Sequence, residues 1–168
     1  MGRYRPPQPA ASKYITPIGK QRLAEEVDNL WKNRRPEVTK ALAAAAAEGD
    51  RSENAEYIYR KKELREIDAR LRYLRKRLDG IVVVDRAPEN QDKVYFGAWV
   101  RLKNVDGDQT VYRIVGPDEI DPSLGYISMD SPMGKALIGK SLHDEFILKL
   151  PEGEFEYVIT EVSYLEIG

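Results

Sequence analysis

Apolar residues in the first half of the chain recur at helical spacing. Leu23, Val27 and Leu30 are four and three residues apart, which is the spacing of one helix face. A later run alternates spacings of three and four in a heptad seam, formed by Leu64, Ile67, Leu71, Leu74 and Leu78. The two runs are joined by a short polar turn, so they predict two antiparallel helices of about 30 residues, with a hairpin about 40–45 Å long.

Turn and capping residues predict where these helices begin and end. Thr16 followed by Pro17 is typical of an N-cap and a first helical position. Gly49 is the expected C-terminal stop of the first helix, and Ser52 is the expected N-cap of the second. Pro36 lies inside the first helical run, where a missing amide N–H either kinks the helix or splits it.

The hydrophobic period changes from helical to alternating after residue 80. The alternation predicts short strands at 81–85, 94–103, 110–116, 126–129, 146–150 and 155–160. Asp106-Gly107 is a strong signal for the turn between two of these strands. A short helix is expected at 132–138, with Ser131 as its N-cap, Pro132 at its first position and Gly139 as its stop. The fold class predicted is therefore α+β, a helical hairpin followed by a β-rich domain.

Charge divides the chain at the same place. Residues 1–79 carry 19 Lys and Arg against 12 Asp and Glu, whereas residues 80–168 carry 8 against 16. We therefore predict a disordered Pro-rich tail at 1–12, a basic hairpin at 13–79 and an acidic domain at 80–168. The sequence contains no cysteine and no apolar run long enough to span a bilayer, which favours a soluble cytoplasmic protein.

The turn between the two helices carries a pair of acidic residues. Asp50 and Glu53 are three residues apart, so both carboxylates can lie at the same end of the hairpin. Acidic residues in a first helical turn are ordinary helix capping, since they offset the helix dipole, and spacing alone favours this interpretation. The alternative is a pair of Mg²⁺ ligands, which would need a partner macromolecule to supply the remaining ligands.

Four segments carry motifs of a known family. The motifs read EVTK at 37–40, GDRSENAEY at 49–57, KKELREID at 61–68 and YISMDSPMGKALIGK at 126–140. They resemble the bacterial GreA/GreB transcript-cleavage factors, and the arginine-rich second helix is closer to the GreB branch. The resemblance extends from about Lys13 to the C-terminus. It implies an antiparallel coiled-coil hairpin, which Pro36 kinks but does not break, and a C-terminal domain like the FKBP prolyl isomerases without their activity.

The resemblance also implies a function. In this family the hairpin enters the secondary channel of a backtracked RNA polymerase, beside the 3′ end of the nascent RNA. Asp50 and Glu53 match the acids that help hold a second Mg²⁺ in the active centre of the polymerase, where that ion assists RNA hydrolysis. The factor is thus expected to be no enzyme by itself, to act as a monomer and to bind no metal ion when isolated.

Further contacts follow from the same comparison of motifs. Asp130, Ser131 and Pro132 are expected to dock on the rim of the channel, although Ser-Pro on its own merely predicts a helix start. Contacts with RNA or the channel are expected from five residues near the tip, namely Arg51, Asn54, Tyr57, Arg60 and Lys61.

Two other functions remain compatible with parts of the sequence. The first is a regulator that enters the same channel without promoting cleavage, although such a protein needs no metal ligands. The second is a general nucleic-acid-binding coiled coil, which the basic hairpin permits. The acidic second half argues against this second alternative, since it would repel nucleic acid.

Overall fold

The computed structural model describes residues 9–49 and 53–167. Its elements divide between two compact units, one formed by residues 18–81 and the other by residues 1–17 together with 82–168. The first unit is helical and the second contains both sheets. The predicted α+β fold class, with a helical hairpin followed by a β-rich domain, is confirmed.

The helical unit is an antiparallel hairpin. Its first arm comprises α1 (Pro17–Asn29), a π-helical segment (Leu30–Arg34) and α2 (Arg35–Ala46), and its second arm is α3 (Ala55–Gly80). The heptad seam forms the contact between the arms, where Ile67 and Leu71 of α3 pack with Val38 of α2. All three side chains are at most 6% exposed, so the predicted seam is confirmed.

Ion pairs between described residues cross from one arm to the other. Arg34 pairs with Glu63, Arg35 Nε lies 2.8 Å from Asp68 Oδ1, and Glu26 Oε1 lies 2.9 Å from Arg70 Nε. The partner of Glu26 lies later in α3 than the partners of Arg34 and Arg35, as an antiparallel arrangement requires. Of these carboxylates, that of Glu63 is the most enclosed, at 13% exposed.

The first arm continues through Pro36, in agreement with the unbroken helix that the resemblance implies. The residues that flank the π-helical segment, Asn29 and Arg35, both have right-handed helical backbone angles, and the Arg35 amide donates to the Leu30 carbonyl. Pro36 has no amide N–H to give to the previous turn, and a widened turn just before it absorbs that missing bond.

The second unit contains a mixed five-stranded sheet. Its strands lie in the order β5 (Tyr126–Ser128), β4 (Gln109–Val115), β3 (Trp99–Asn104), β7 (Gly153–Ser163) and β6 (Glu145–Leu150). All neighbouring pairs are antiparallel except β4 and β5. The helix α4 (Pro132–Leu137) contributes Leu137 to a core that includes Val100, Ile114 and Ile159, all unexposed.

The predicted strands differ from the observed ones mainly at their ends. The strand expected at 94–103 begins only at Trp99, because the chain turns at Gly97, where φ is +86°. The strand expected at 81–85 is reduced to β2 (Val82–Val83). By contrast, α4 has the predicted cap, because the Ser131 side chain accepts a hydrogen bond from the Gly134 amide.

The segment before the hairpin belongs to the sheet-containing unit rather than to the helices. β1 (Tyr14–Ile15) pairs in parallel with β2, and the Val82 and Val84 amides donate to the Lys13 and Ile15 carbonyls. Gly116 makes room for this segment, because a Cβ atom there would lie 2.2 Å from the Tyr14 carbonyl oxygen. The predicted domains had assigned 13–17 to the hairpin, and the compact units place them with residues 82–168 instead. The predicted tail at 1–12 falls largely on residues 1–8, which lie outside the described residues.

Candidate functional site

The tip of the hairpin carries the strongest candidate residues. α2 ends at Ala46, and the Ala47 amide donates to the carbonyls of the preceding turn. Gly49, at φ +139°, lies in the turn that follows, two residues beyond the C-cap. Asp50, Arg51 and Ser52 lie outside the described residues.

Glu53 is the candidate metal ligand that the structure describes. It is exposed, and its carboxylate makes no hydrogen bond or ion pair with any described residue. It directly precedes the N-cap of α3, so its charge lies near the partly positive end of that helix. An exposed carboxylate is a suitable Mg²⁺ ligand, and one such group leaves most of the coordination sphere to other ligands. Within residues 9–49 and 53–167, no group of three or more potential metal-ligating side chains is present.

Asn54 caps α3, so the prediction that Ser52 is the N-cap is wrong. The Asn54 side chain accepts a hydrogen bond from the Tyr57 amide at 3.1 Å, and its backbone carbonyl accepts from the Ile58 amide. The same side chain also donates from Nδ2 to the Ala45 carbonyl of α2, at 2.7 Å. Ser and Asn are about equally good N-caps, and the contact with Ala45 is the feature that the sequence does not reveal.

Arg60 and Lys61, two further candidates near the tip, differ in the ion pairs that their side chains form. Arg60 pairs with Glu56 at 2.8 Å and with Glu63 at 3.0 Å. The hydrogen bond to Glu56, followed by that to Glu63, raises the pKa of Arg60 above its ordinary value. Lys61 is exposed, with Nζ 5.8 Å from the centre of the Tyr57 ring. Of the two cations, Lys61 therefore has the freer charge.

The predicted docking residues surround the start of α4. Pro132 is exposed at the first position of this helix, and Ser131 is its N-cap. Gly134 allows the helix to pack closely on the chain before it, because a Cβ atom there would lie 2.2 Å from the Ser128 carbonyl oxygen. The loop is thus held in place on the sheet while Pro132 stays accessible.

Asp130 is engaged within its own unit. Its carboxylate accepts hydrogen bonds from the Ser12 amide, at 2.8 Å, and from the Ser12 hydroxyl. A similar contact follows four residues later, where the amide and hydroxyl of Thr16 both donate to the Glu119 carboxylate. Sequence reasoning missed both contacts, because more than 100 residues separate the partners and no local pattern signals them.

Three other observations complete the comparison with the sequence. Trp99 is in the core, at 8% exposed, with the Arg113 guanidinium 5.2 Å from its ring centre. His143 is exposed. Among the helices of the described ranges, none is both long and apolar enough to cross a membrane.

Comparisons with known proteins agree with the motifs. A family model for the N-terminal part of transcription elongation factors matches residues 13–83, and the model for the C-terminal part of GreA/GreB matches residues 88–164. Transcription elongation factor GreB of Pseudomonas aeruginosa is 54% identical over 164 residues, which are 98% of each chain. GreB of Xanthomonas axonopodis pv. citri is also 54% identical, over 99% of this chain and 100% of its own.

Among solved structures, GreA factor homolog 1 of Thermus thermophilus is 26% identical and has a TM-score of 0.41, with 90% of this chain and 99% of its own covered. The two family models together match most of the chain, and identity to the relatives is above 50% over nearly its whole length. The chain therefore belongs to the GreA/GreB family of transcription elongation factors.

Proposed function

We propose that this protein stimulates cleavage of nascent RNA by a backtracked RNA polymerase. Its relatives are transcription elongation factors, and the observation that carries the finer proposal is the exposed carboxylate of Glu53 at the turn of the hairpin, which has no partner among the described residues. A carboxylate in that position is available to a metal ion held mainly by another molecule.

The shape of the helical unit supports insertion into a channel. α3 contains 26 residues, so the hairpin is about 40 Å long. The seam between the arms buries apolar side chains, and the cross-arm ion pairs keep the arms together along their length. We infer that the hairpin enters the secondary channel of the polymerase and brings its tip to the RNA 3′ end.

At the tip, Asp50 and Glu53 would share a Mg²⁺ ion with the active centre of the polymerase. When bound, that ion would stabilise negative charge on the phosphodiester and help to activate water. The contribution of this chain is to hold two carboxylates at the end of a stiff arm. The protein then has no catalytic activity of its own, acts as a cytoplasmic monomer and leaves the chemistry to the polymerase.

The start of α4 is the proposed contact with the rim of the channel. Pro132 is exposed on a loop that Ser131 and Gly134 hold firmly, which suits a preformed docking surface. Asp130 supports that surface through its contact with Ser12.

The experiment uses a stalled, backtracked elongation complex with labelled RNA and Mg²⁺. We expect rapid shortening of the transcript with the wild-type protein and none with Asp50→Asn, while both bind the polymerase. Binding without cleavage by the wild type would instead indicate a channel-binding regulator. Tight, salt-sensitive binding of DNA by the protein alone would indicate a general nucleic-acid-binding module.

A further inference from the structure

The amide group of Asn54 joins both arms of the hairpin at the tip. Its oxygen accepts from the Tyr57 amide at the start of α3, and its nitrogen donates to the Ala45 carbonyl near the end of α2. The first amides and the last carbonyls of a helix have no partners within the helix. One side chain thus bonds to a terminal backbone group of each of the two helices.

The bond to Ala45 lies in an enclosed part of the tip. Ala45 is only 3% exposed, and its carbonyl accepts from the Glu48 amide at 3.2 Å as well as from Asn54 at 2.7 Å. Both acceptor positions of this carbonyl are therefore used. A hydrogen bond shielded from water is stronger and its loss is more costly, so this contact fixes the separation of the two helix ends.

The amide of Asn54 supplies the two bonds from two different atoms, Oδ1 and Nδ2. Asp and Ser cap a helix about as well as Asn, because each offers an acceptor oxygen. Asp has no donor for the Ala45 carbonyl and would place a negative oxygen opposite it. The choice of Asn at position 54 is therefore explained by the bond between the arms and not by helix capping alone.

We propose that Asn54 is the positioning residue of the tip, acting through Glu53, and this inference rests on the proposed function. Asn54 has extended backbone angles, φ −88° and ψ 99°, that set the direction in which the chain leaves α3 toward Glu53. Its side chain fixes that direction relative to α2. Asn54 thus acts within the hairpin and not as a contact to RNA or to the channel wall.

The first test measures transcript cleavage with Asn54→Asp, which keeps the cap and removes the bond to Ala45. We expect the rate at saturating factor to fall about tenfold or more, because small errors in placing a catalytic group have large effects on rate. We also expect a higher Mg²⁺ requirement, whereas the factor concentration for half-saturation changes less than about threefold, a small effect on binding free energy. Asn54→Asp with wild-type rate and Mg²⁺ dependence would overturn the proposal.

A matched control separates the bond from the added charge. Asn33 is exposed on the first arm and bonds only to Asn29 among the described side chains, so Asn33→Asp makes the same chemical change away from the tip. We expect Asn33→Asp to cleave like the wild type. An equal loss in both variants would show a charge effect and contradict a positioning role for Asn54.

The second test uses the free protein, so it does not depend on cleavage. Amide hydrogen exchange of the wild type should show slow exchange for the Tyr57 amide and for a side-chain amide proton of Asn54. Asn54→Asp should keep the Tyr57 amide protected, whereas Asn54→Ala should not. A freely exchanging Asn54 side chain in the wild type would refute the bond between the arms. A wild-type chain that stimulates no cleavage would contradict the proposed function, while these exchange rates still decide the structural claim.

Discussion

Glu53 and Asn54 are neighbours at the tip, yet their side chains differ in their contacts with the rest of the hairpin. The Glu53 carboxylate has no partner among the described residues, whereas the Asn54 amide bonds to both helices. An exposed carboxylate without partners contributes little to folding stability, so its removal should affect activity alone. Substitution of a side chain that bonds inside the hairpin changes both folding stability and activity, so each such variant needs a paired control.

Glu53→Gln should abolish stimulated cleavage while polymerase binding persists. The amide keeps the size of the side chain and removes the charge that a metal ion needs. We expect the cleavage rate at saturating factor to fall about 100-fold, the scale of losing one group that stabilises developing charge. Transcript-cleavage kinetics provide the measurement, and Glu66→Gln, at an exposed position within α3, should cleave like the wild type. Loss of binding with intact cleavage would contradict this role.

Tyr112 should make the sheet-containing unit less stable at alkaline pH. Burial, with a smaller contribution from Tyr157, raises the pKa of Tyr112 above 10.0. Below pH 10 the phenol is protonated in the folded and unfolded chains alike, so it has no effect on the pH dependence of stability. Above pH 10 the unfolded chain ionises first, and the free energy of unfolding falls as pH rises toward the folded-state pKa. Urea unfolding between pH 8 and 11 should show this fall, and Tyr112→Phe should reduce it without removing it, because burial also raises the pKa of Tyr164.

At the scale of elements, long periodic segments could be predicted from the sequence more fully than the shortest ones. The seam of α3 is visible because its apolar period repeats over many turns and packing follows that period. β1 is two residues long and has no local signal, and its partner β2 covers only part of the strand expected at 81–85. The sequence favours Ser52 as the cap of α3. The contact that decides for Asn54, its hydrogen bond to Ala45, forms between two helices and has no local signal.

Burial of the seam residues stabilises the hairpin. Leu71 is 2% exposed between the arms, and Leu71→Ala should destabilise the helical unit by about 2–4 kcal/mol through lost burial and a residual cavity. Circular dichroism at 222 nm during urea unfolding measures this loss of helix. The neighbouring Arg72 is exposed, and Arg72→Ala should change the stability by less than about 0.5 kcal/mol. Similar effects of the two variants would contradict the assigned seam.

At the scale of the whole molecule, the residues proposed for metal binding and for docking belong to different compact units. Glu53 lies in the unit formed by 18–81, and Pro132 lies in the unit that combines 1–17 with 82–168. The sequence placed the change from helix to sheet correctly near residue 80. It did not reveal that Ser12 and Thr16 belong to the sheet-containing unit, since their partners Asp130 and Glu119 are distant in sequence.

This separation predicts that docking and chemistry change independently. Pro132→Ala should raise the factor concentration for half-maximal cleavage about tenfold, the effect of about 1.4 kcal/mol of lost contact, and leave the rate at saturation unchanged. Pro122 is also exposed at the first position of a short helix in the same unit, so Pro122→Ala is the matched control and should leave both values unchanged. Cleavage rates measured over a range of factor concentrations separate the two values.

Pro132→Ala combined with Asn54→Asp should show the sum of the two free-energy changes, because sites without shared partners behave additively. If Pro132→Ala removed activity at every concentration, Pro132 would act in the chemistry and its assignment to docking would be wrong.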